Sequence, residues 1–232
     1  HGNRAASSRA GSADVLEELG VPLDLPPAAA ARAIEETGFA FLFAPRYHPA
    51  LAAVAGLRKA LGVRTVFNLM GPLLNPAGAR RQVVGVFDES LLELYAEVLI
   101  DLGAESAMVV RAEDGMDELS LCAPTHVCWA ERGRPPRRER IAPEDAGLRR
   151  AATGSLRGGS AAENAKALVA LLLGEAGPRA DAVALNAGAA LLVSGLAKDL
   201  REGVALARES LASGAARKVL ARARKAGEKA RK

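Results

Sequence analysis

Aromatic side chains are scarce in this chain: one Trp, two Tyr and five Phe, 3% of 232 residues. This scarcity, beside abundant Ala and Leu, favours helices over an all-β architecture. Cysteine is scarcer still. Cys122 and Cys128 are the only two, with no His or Cys at metal-ligand spacing, so a disulfide framework is excluded and a reducing, cytoplasmic setting is expected. Long apolar runs are missing too. The nearest, Val183 to Leu196, is broken by Asn186, Gly188, Ser194 and Gly195 and falls short of the ~20 residues a membrane helix needs. No membrane partner is expected, and the opening HGNR shows neither an initiator Met nor a signal-peptide pattern.

What is present is an ordinary globular composition, half apolar and a quarter charged, with length enough for a proper core. The formal charge of +4 is unevenly placed. Residues 215–232 hold eight Lys/Arg against one acid, so the rest of the chain is slightly acidic. This basic C-terminal tail carries no interleaved aromatics and reads as the solvated end of a surface helix; no nucleic-acid partner is expected.

Along the chain, DVLEELG (14–20) reads as a short helix with Asp14 or Ser12 as cap, Glu17 placed for a capping box with Asp14, and Gly20 as stop. A second helix is expected over 28–37, an apolar run ending in a Pro-marked turn over 38–49, and helical spacing from Pro49 to Leu61. RTVFNLMGPLLNPAG (64–78) is punctuated like a site loop. Strands are expected at 82–87, 106–111 and 125–131, with a helix at 91–103 between the first two and a charged turn at 132–140. Three helices, near 161–173, 181–197 and 200–213, finish the pattern, and Gly214 closes the last before the tail. Strand–helix–strand alternation implies an α/β unit with a parallel component.

Three constellations carry chemistry. HGNRAASSRAGSAD (1–14) runs small and hydroxyl residues into a helix N-terminus, where backbone N–H groups, Ser7, Ser8 and Ser12 suit a phosphate and Arg4 offers a fork. In DGMDELS (114–120), Asp117 and Glu118 are adjacent acids after a Gly turn, a pairing that suits Mg²⁺ completed by water and phosphate oxygens. Arg58, with His48 and the GPLLNP loop at 71–76, could clamp a substrate carboxylate. Each has an ordinary structural reading as well: a capped turn, a solvated acidic turn, a surface Arg.

The strings themselves are more specific than their composition. HGNRAASSRAGSADVLEELG, FLFAPRYHPA, RKALGVRTVFNLMGPLLNPAG, AEDGMDELSL, APTHV, GGSAAENA and DAVALNAGAALLVSG resemble, in this order and from residue 1 to about 220, the anthranilate phosphoribosyltransferases. The resemblance implies a mixed or parallel sheet flanked by helices, a nucleoside phosphorylase/phosphoribosyltransferase-like α/β domain over 1–232 with the remnant of a helical domain. It implies transfer of phosphoribosyl from phosphoribosyl pyrophosphate to anthranilate in tryptophan biosynthesis, with Mg²⁺ as cofactor and a homodimer as the assembly. It assigns His1, Gly2, Asn3, Arg4, Ala5, Ala6, Ser7, Ser8 and Ser12 to phosphoribosyl pyrophosphate, Asn3, Arg58 and His48 to anthranilate, and Asp117 and Glu118 to the metal. The family also places a helical segment, a glycine-rich GTGGD-type loop and a Lys upstream of the point where this sequence starts, so an N-terminally truncated chain is expected. Two other readings stay open: a binding-only or inactive fragment of that enzyme, and a relative of the pyrimidine nucleoside phosphorylases.

Overall fold

A computed structural model describes residues 1–5, 9–50 and 69–230. They fall into two compact units. The first comprises His1–Pro76, Gly158–Gly174 and Gly214–Lys232; the second comprises Ala77–Arg157 and Glu175–Ser213.

The first unit is helical where described. Its helices are α1 (Ser12–Glu18), α2 (Pro27–Thr37) and the single turn α3 (Ala44–Tyr47). Two further helices of this unit come from later in the chain. The expected cap of α1 is corrected in detail: Gly11, not Asp14 or Ser12, precedes the helix. Asp14 lies one turn in and accepts the Gly11 N–H at 2.8 Å, while Glu17 pairs with Arg4 at 2.5 Å and not with Asp14. α2 starts on Pro27, whose missing N–H costs nothing in a first turn, and stops at Gly38 in the left-handed conformation, φ 82°. The turn expected after the 38–43 run is instead the helical turn α3, which Pro45 can enter for the same reason. Leu19, Val21, Ala165 and Ala223 form one buried cluster, and Leu25, Ala30, Ala33 and Leu42 another.

The second unit is built on a four-stranded sheet, order β1-β2-β3-β4. β1 (Arg81–Gly85) runs parallel to β2 (Ser106–Ala112), and the crossover between them carries α4 (Leu92–Asp101). β3 (Thr125–Glu131) is antiparallel to β2, with Ala112 opposite Thr125, and β4 (Arg137–Ile141) is antiparallel to β3. The sheet is therefore mixed, as the sequence implies. β4 replaces the charged turn expected at 132–140: RRERI is exposed at four of its five positions, so it shows no apolar alternation, and its charges suit an edge strand.

Alternation within β2 covers both faces of the sheet. Met108 and Val110 join Val127, Leu119 and Leu121 in a core with Ala184, Leu185, Val193 and Val204. Ala107 and Val109 are equally buried on the opposite side, where α4 packs on β2 and β3.

The helices left over from both units follow the sequence closely. α5 (Ala161–Leu172) belongs to the first unit, α6 (Pro178–Ser194) and α7 (Leu200–Ala212) to the second, and α8 (Ala215–Ala230) returns to the first. Ser160 caps α5, its hydroxyl accepting from Glu163 N while Glu163 accepts from Ser160 N at 2.7 Å. α8 occupies the basic stretch, packs near α2 and buries Ala223. Among the described residues no helix is long and apolar enough to cross a membrane.

α6 and α7 meet at paired glycines. A Cβ on Gly188 would lie 2.7 Å from Val204 N, and one on Gly203 would lie 2.4 Å from the Gly188 carbonyl oxygen. The neighbours are backbone and cannot swing aside. Gly188→Ala should therefore destabilise the protein by about 1–3 kcal/mol, read as a lower denaturant midpoint. An unchanged midpoint would mean that the helices do not approach this closely.

Candidate functional site

In the first unit, the chain's opening residues form a strap laid along 42–44. Gly2 N donates to Leu42 O at 3.1 Å, and Ala44 N donates to Gly2 O at 2.8 Å. The space at Gly2 is tight: an added Cβ would meet Phe41 at 3.2 Å and the Ser12 hydroxyl at 3.4 Å. Beyond Arg4 the strap is fixed by Asp14. Ala5 N at 2.9 Å and Gly11 N at 2.8 Å donate to the same oxygen of Asp14, and these backbone donors hold its carboxyl below the usual carboxylate range. One acid thus ties together both ends of the segment that contains Ala6, Ser7 and Ser8, which lie outside the described residues.

Asn3 is exposed and its side-chain oxygen accepts from Arg4 N at 2.8 Å. The Arg4 fork, expected for a phosphate, engages Glu17 at 2.5 and 2.9 Å and lies over the Phe43 ring. Both partners are about half exposed, so this is a surface pair of small worth whose exchange for another anion costs little. His1 and His48 meet edge to face, Nε2 to Nε2 at 3.2 Å. One ring must donate and the other accept. Arg58 and the helix expected around it lie outside the described residues.

In the second unit, the loop between β2 and β3 carries the acid pair. Gly115 turns it with φ 97°, and Ala112 N closes the turn on Met116 O at 2.9 Å. The Arg111 guanidinium donates to the Gly115 carbonyl. Asp117 and Glu118 follow, both exposed, and then Leu119, Ser120 and Leu121 dive into the core at 1% exposure each. The Ser120 hydroxyl donates to Asp114 at 2.6 Å and accepts from Cys122 N and Ala123 N.

The backbone of Asp117 lies directly on β1. A Cβ on Gly85 would fall 1.7 Å from the Asp117 carbonyl oxygen, so residue 85 must lack a side chain for the loop to take this course. On the far side, the Asn186 carboxamide of α6 accepts from Leu119 N at 3.0 Å and donates to Leu119 O at 2.9 Å. Neither Gly85 nor Asn186 is among the residues that sequence reasoning singles out for the site. The one signal for Asn186 is its place as a polar interruption of an apolar run.

Although the residue as a whole is exposed, protein packed around the Glu118 carboxyl withdraws enough solvent to push it up to about 7, and the charge of Asp117, a hydrogen bond with Asp117 and the charge of Asp114 push the same way. An acid held this far above its ordinary value is short of positive charge. The residues present fit a divalent cation of the hard kind, which takes one or two carboxylates and keeps water and phosphate oxygens for the rest. Among the described residues no group of three His, Cys, Asp or Glu side chains is placed to hold a metal by itself, so such an ion would be shared with a ligand.

With this geometry in hand, the class follows from comparison: the chain belongs to the glycosyl transferase family, matching its a/b domain across residues 1–217. Within that class it is similar to enzymes named anthranilate phosphoribosyltransferase. It is 54% identical over 217 residues to the one from Azorhizobium caulinodans, covering 94% of this chain and 63% of the relative. With the one from Anaeromyxobacter sp. strain Fw109-5 the identity is 53% over 222 residues, covering 96% and 65%. The chain thus spans somewhat less than two thirds of the length of these curated relatives. Among solved structures, the anthranilate phosphoribosyltransferase of Thermus thermophilus superposes with a TM-score of 0.90 at 52% identity, covering 98% of this chain and 68% of that one. The Saccharomyces cerevisiae enzyme, in complex with phosphoribosyl pyrophosphate and Mg, gives 0.89 at 26%, covering 99% and 64%.

The raised Glu118 carboxyl has a consequence for stability. The folded state holds its proton more tightly than the unfolded state, so this contribution is complete below the ordinary value of 4.5 and is lost as pH rises through about 7. Glu118→Gln removes that loss. In chelator-treated buffer the melting temperature of the variant should rise relative to the parent between pH 5 and pH 8. Parallel pH profiles would contradict the assignment.

Proposed function

We propose that this chain supplies donor, metal and acceptor residues of an anthranilate phosphoribosyltransferase. The observation that carries the reading is the 54% identity over 217 residues to the Azorhizobium caulinodans enzyme, since nearly the whole chain takes part. The Saccharomyces cerevisiae neighbours add support, one in complex with phosphoribosyl pyrophosphate and Mg and another with 4-fluoroanthranilate.

In the reaction, the N–C1 bond forms between the amine of anthranilate and the ribose as the C1–O bond to pyrophosphate breaks. The amine gives up a proton to water or to the released pyrophosphate. An aromatic amine attacks in its neutral form, so no residue is assigned as general base. Residues His1 to Ser8, with Ser12, bind phosphoribosyl pyrophosphate on this reading, the strap being already pinned to 42–44 before a ligand arrives. Asn3 and His48 line the acceptor side, and Arg58 holds the anthranilate carboxylate. Asp117 and Glu118 hold Mg²⁺, which when bound supplies positive charge opposite the departing pyrophosphate. Much of the rate then comes from orienting amine and C1 toward each other. The reading includes a cytoplasmic homodimer.

Loss of anthranilate fluorescence with phosphoribosyl pyrophosphate and Mg²⁺ tests it, on this chain and on one extended upstream in its gene. Turnover in either is the expected result. No turnover in both, or turnover of uridine with phosphate instead, overturns the reading. In the active form, Arg58→Ala should weaken anthranilate binding by on the order of 2–3 kcal/mol, raising its KM while leaving that of phosphoribosyl pyrophosphate nearly unchanged. An unchanged anthranilate KM removes Arg58 from the site.

A further inference from the structure

The loop that bears the acid pair leaves β2 at Ala112 and rejoins the sheet at Thr125. Between these points it makes no ladder, so its peptide groups need other partners. At Leu119 the need is acute, because this residue is 1% exposed and directly follows Glu118. Among the described residues, Asn186 is the partner that the structure gives to both its N–H and its C=O, at 3.0 and 2.9 Å. The second Nδ2 proton goes to Ala182 O, one turn back in α6, at 3.0 Å. That third bond fixes the carboxamide on its own helix, so it presents donor and acceptor together, much as a neighbouring strand would.

We infer that Asn186 is a positioning residue for the acid pair, clamping the Leu119 peptide so that Asp117 and Glu118 face a divalent cation in one fixed direction. The inference rests on the reading of that pair as the metal site. The chemistry of position 186 is narrow. Asp could accept from Leu119 N but could not donate to Leu119 O. Leu would fill the space and satisfy neither group. Gln would carry the amide one methylene too far. An Asn within a helix is otherwise a poor choice, a few tenths of a kcal/mol worse than most residues there, and nothing about the packing of α6 calls for one. Gly85 constrains the same loop from below, so two contacts on opposite sides determine where the carboxylates stand.

The test uses Mn²⁺ as the probe, with free Mn²⁺ counted by electron paramagnetic resonance on the whole chain. Asn186→Ala should weaken Mn²⁺ binding roughly 10- to 100-fold, as expected when a residue behind a metal ligand is removed. Asn186→Leu, which keeps the branched shape of the side chain without its polar atoms, should do the same and covers the case in which the Ala variant does not fold. Either variant, folded and with parental Mn²⁺ affinity, overturns the inference even if its melting temperature has dropped. Amide exchange of the unaltered protein gives a second readout: Leu119 should be protected like the core strands, and exchange as fast as that of an unstructured peptide also overturns it. Asp117→Asn and Glu118→Gln run in parallel separate the two claims. If they bind Mn²⁺ as the parent does, or if the parent itself binds none, the acid pair is not the metal site and the reading beneath the inference has failed; if they lose it while Asn186→Ala keeps it, only the positioning role has failed.

Discussion

The carbonyl of Asp117 occupies the place where a side chain at position 85 would be, and the rest of the acidic loop follows from that contact. A β1 strand ending in any residue but Gly would lift the loop off the sheet. With the loop down, Leu119 and Leu121 reach the core between the sheet and α6, and burying each contributes about 1.5–3 kcal/mol. That anchorage holds three acids, Asp114, Asp117 and Glu118, in one short stretch despite their mutual repulsion. Ser120 relieves Asp114 by a hydrogen bond. Glu118 is left with the strain, seen in its carboxyl at about 7. On the proposed reading, a bound cation would relieve it.

The strap in the first unit uses a different device for a similar end. Asp14 collects the N–H groups of Ala5 and Gly11 on one oxygen at the start of α1. Gly2 lets the strap lie flat against Phe41 and Ser12. Arg4 is meanwhile parked on Glu17 in a solvent-exposed pair that a phosphate can displace at small cost. In both units glycine permits close backbone approach and a polar side chain fixes the result.

How much of this was legible beforehand depends on which physical signal each element gives. β1, β2 and β3 announce themselves through apolar runs, β2 and β3 most clearly because both faces of the sheet are covered there. β4 does not, since RRERI lies at an edge and its charges face solvent, so composition reads it as a turn. Helix ends were readable from glycine stops, as at Gly20 and Gly214, whereas the cap of α1 was not, because Asp14 acts from inside the helix on Gly11. The acid pair and the opening strap stood out as motifs, and the family resemblance rests on them. The contacts that hold them did not stand out. Gly85 looks like any strand glycine until the loop is laid over it, and Asn186 looks like a flaw in an apolar helix until it meets Leu119. Both depend on segments distant in sequence, the Asn186–Leu119 pair being 67 residues apart, and local pattern carries no trace of such a pairing.

The central claim is that these residues hold a phosphorylated donor through a metal. Calorimetric titration of phosphoribosyl pyrophosphate into the protein, with Mg²⁺ and with chelator, tests it most directly. The account expects binding that depends on Mg²⁺ and is lost in Glu118→Gln. Binding of equal strength with chelator, or unaffected by that substitution, would contradict it.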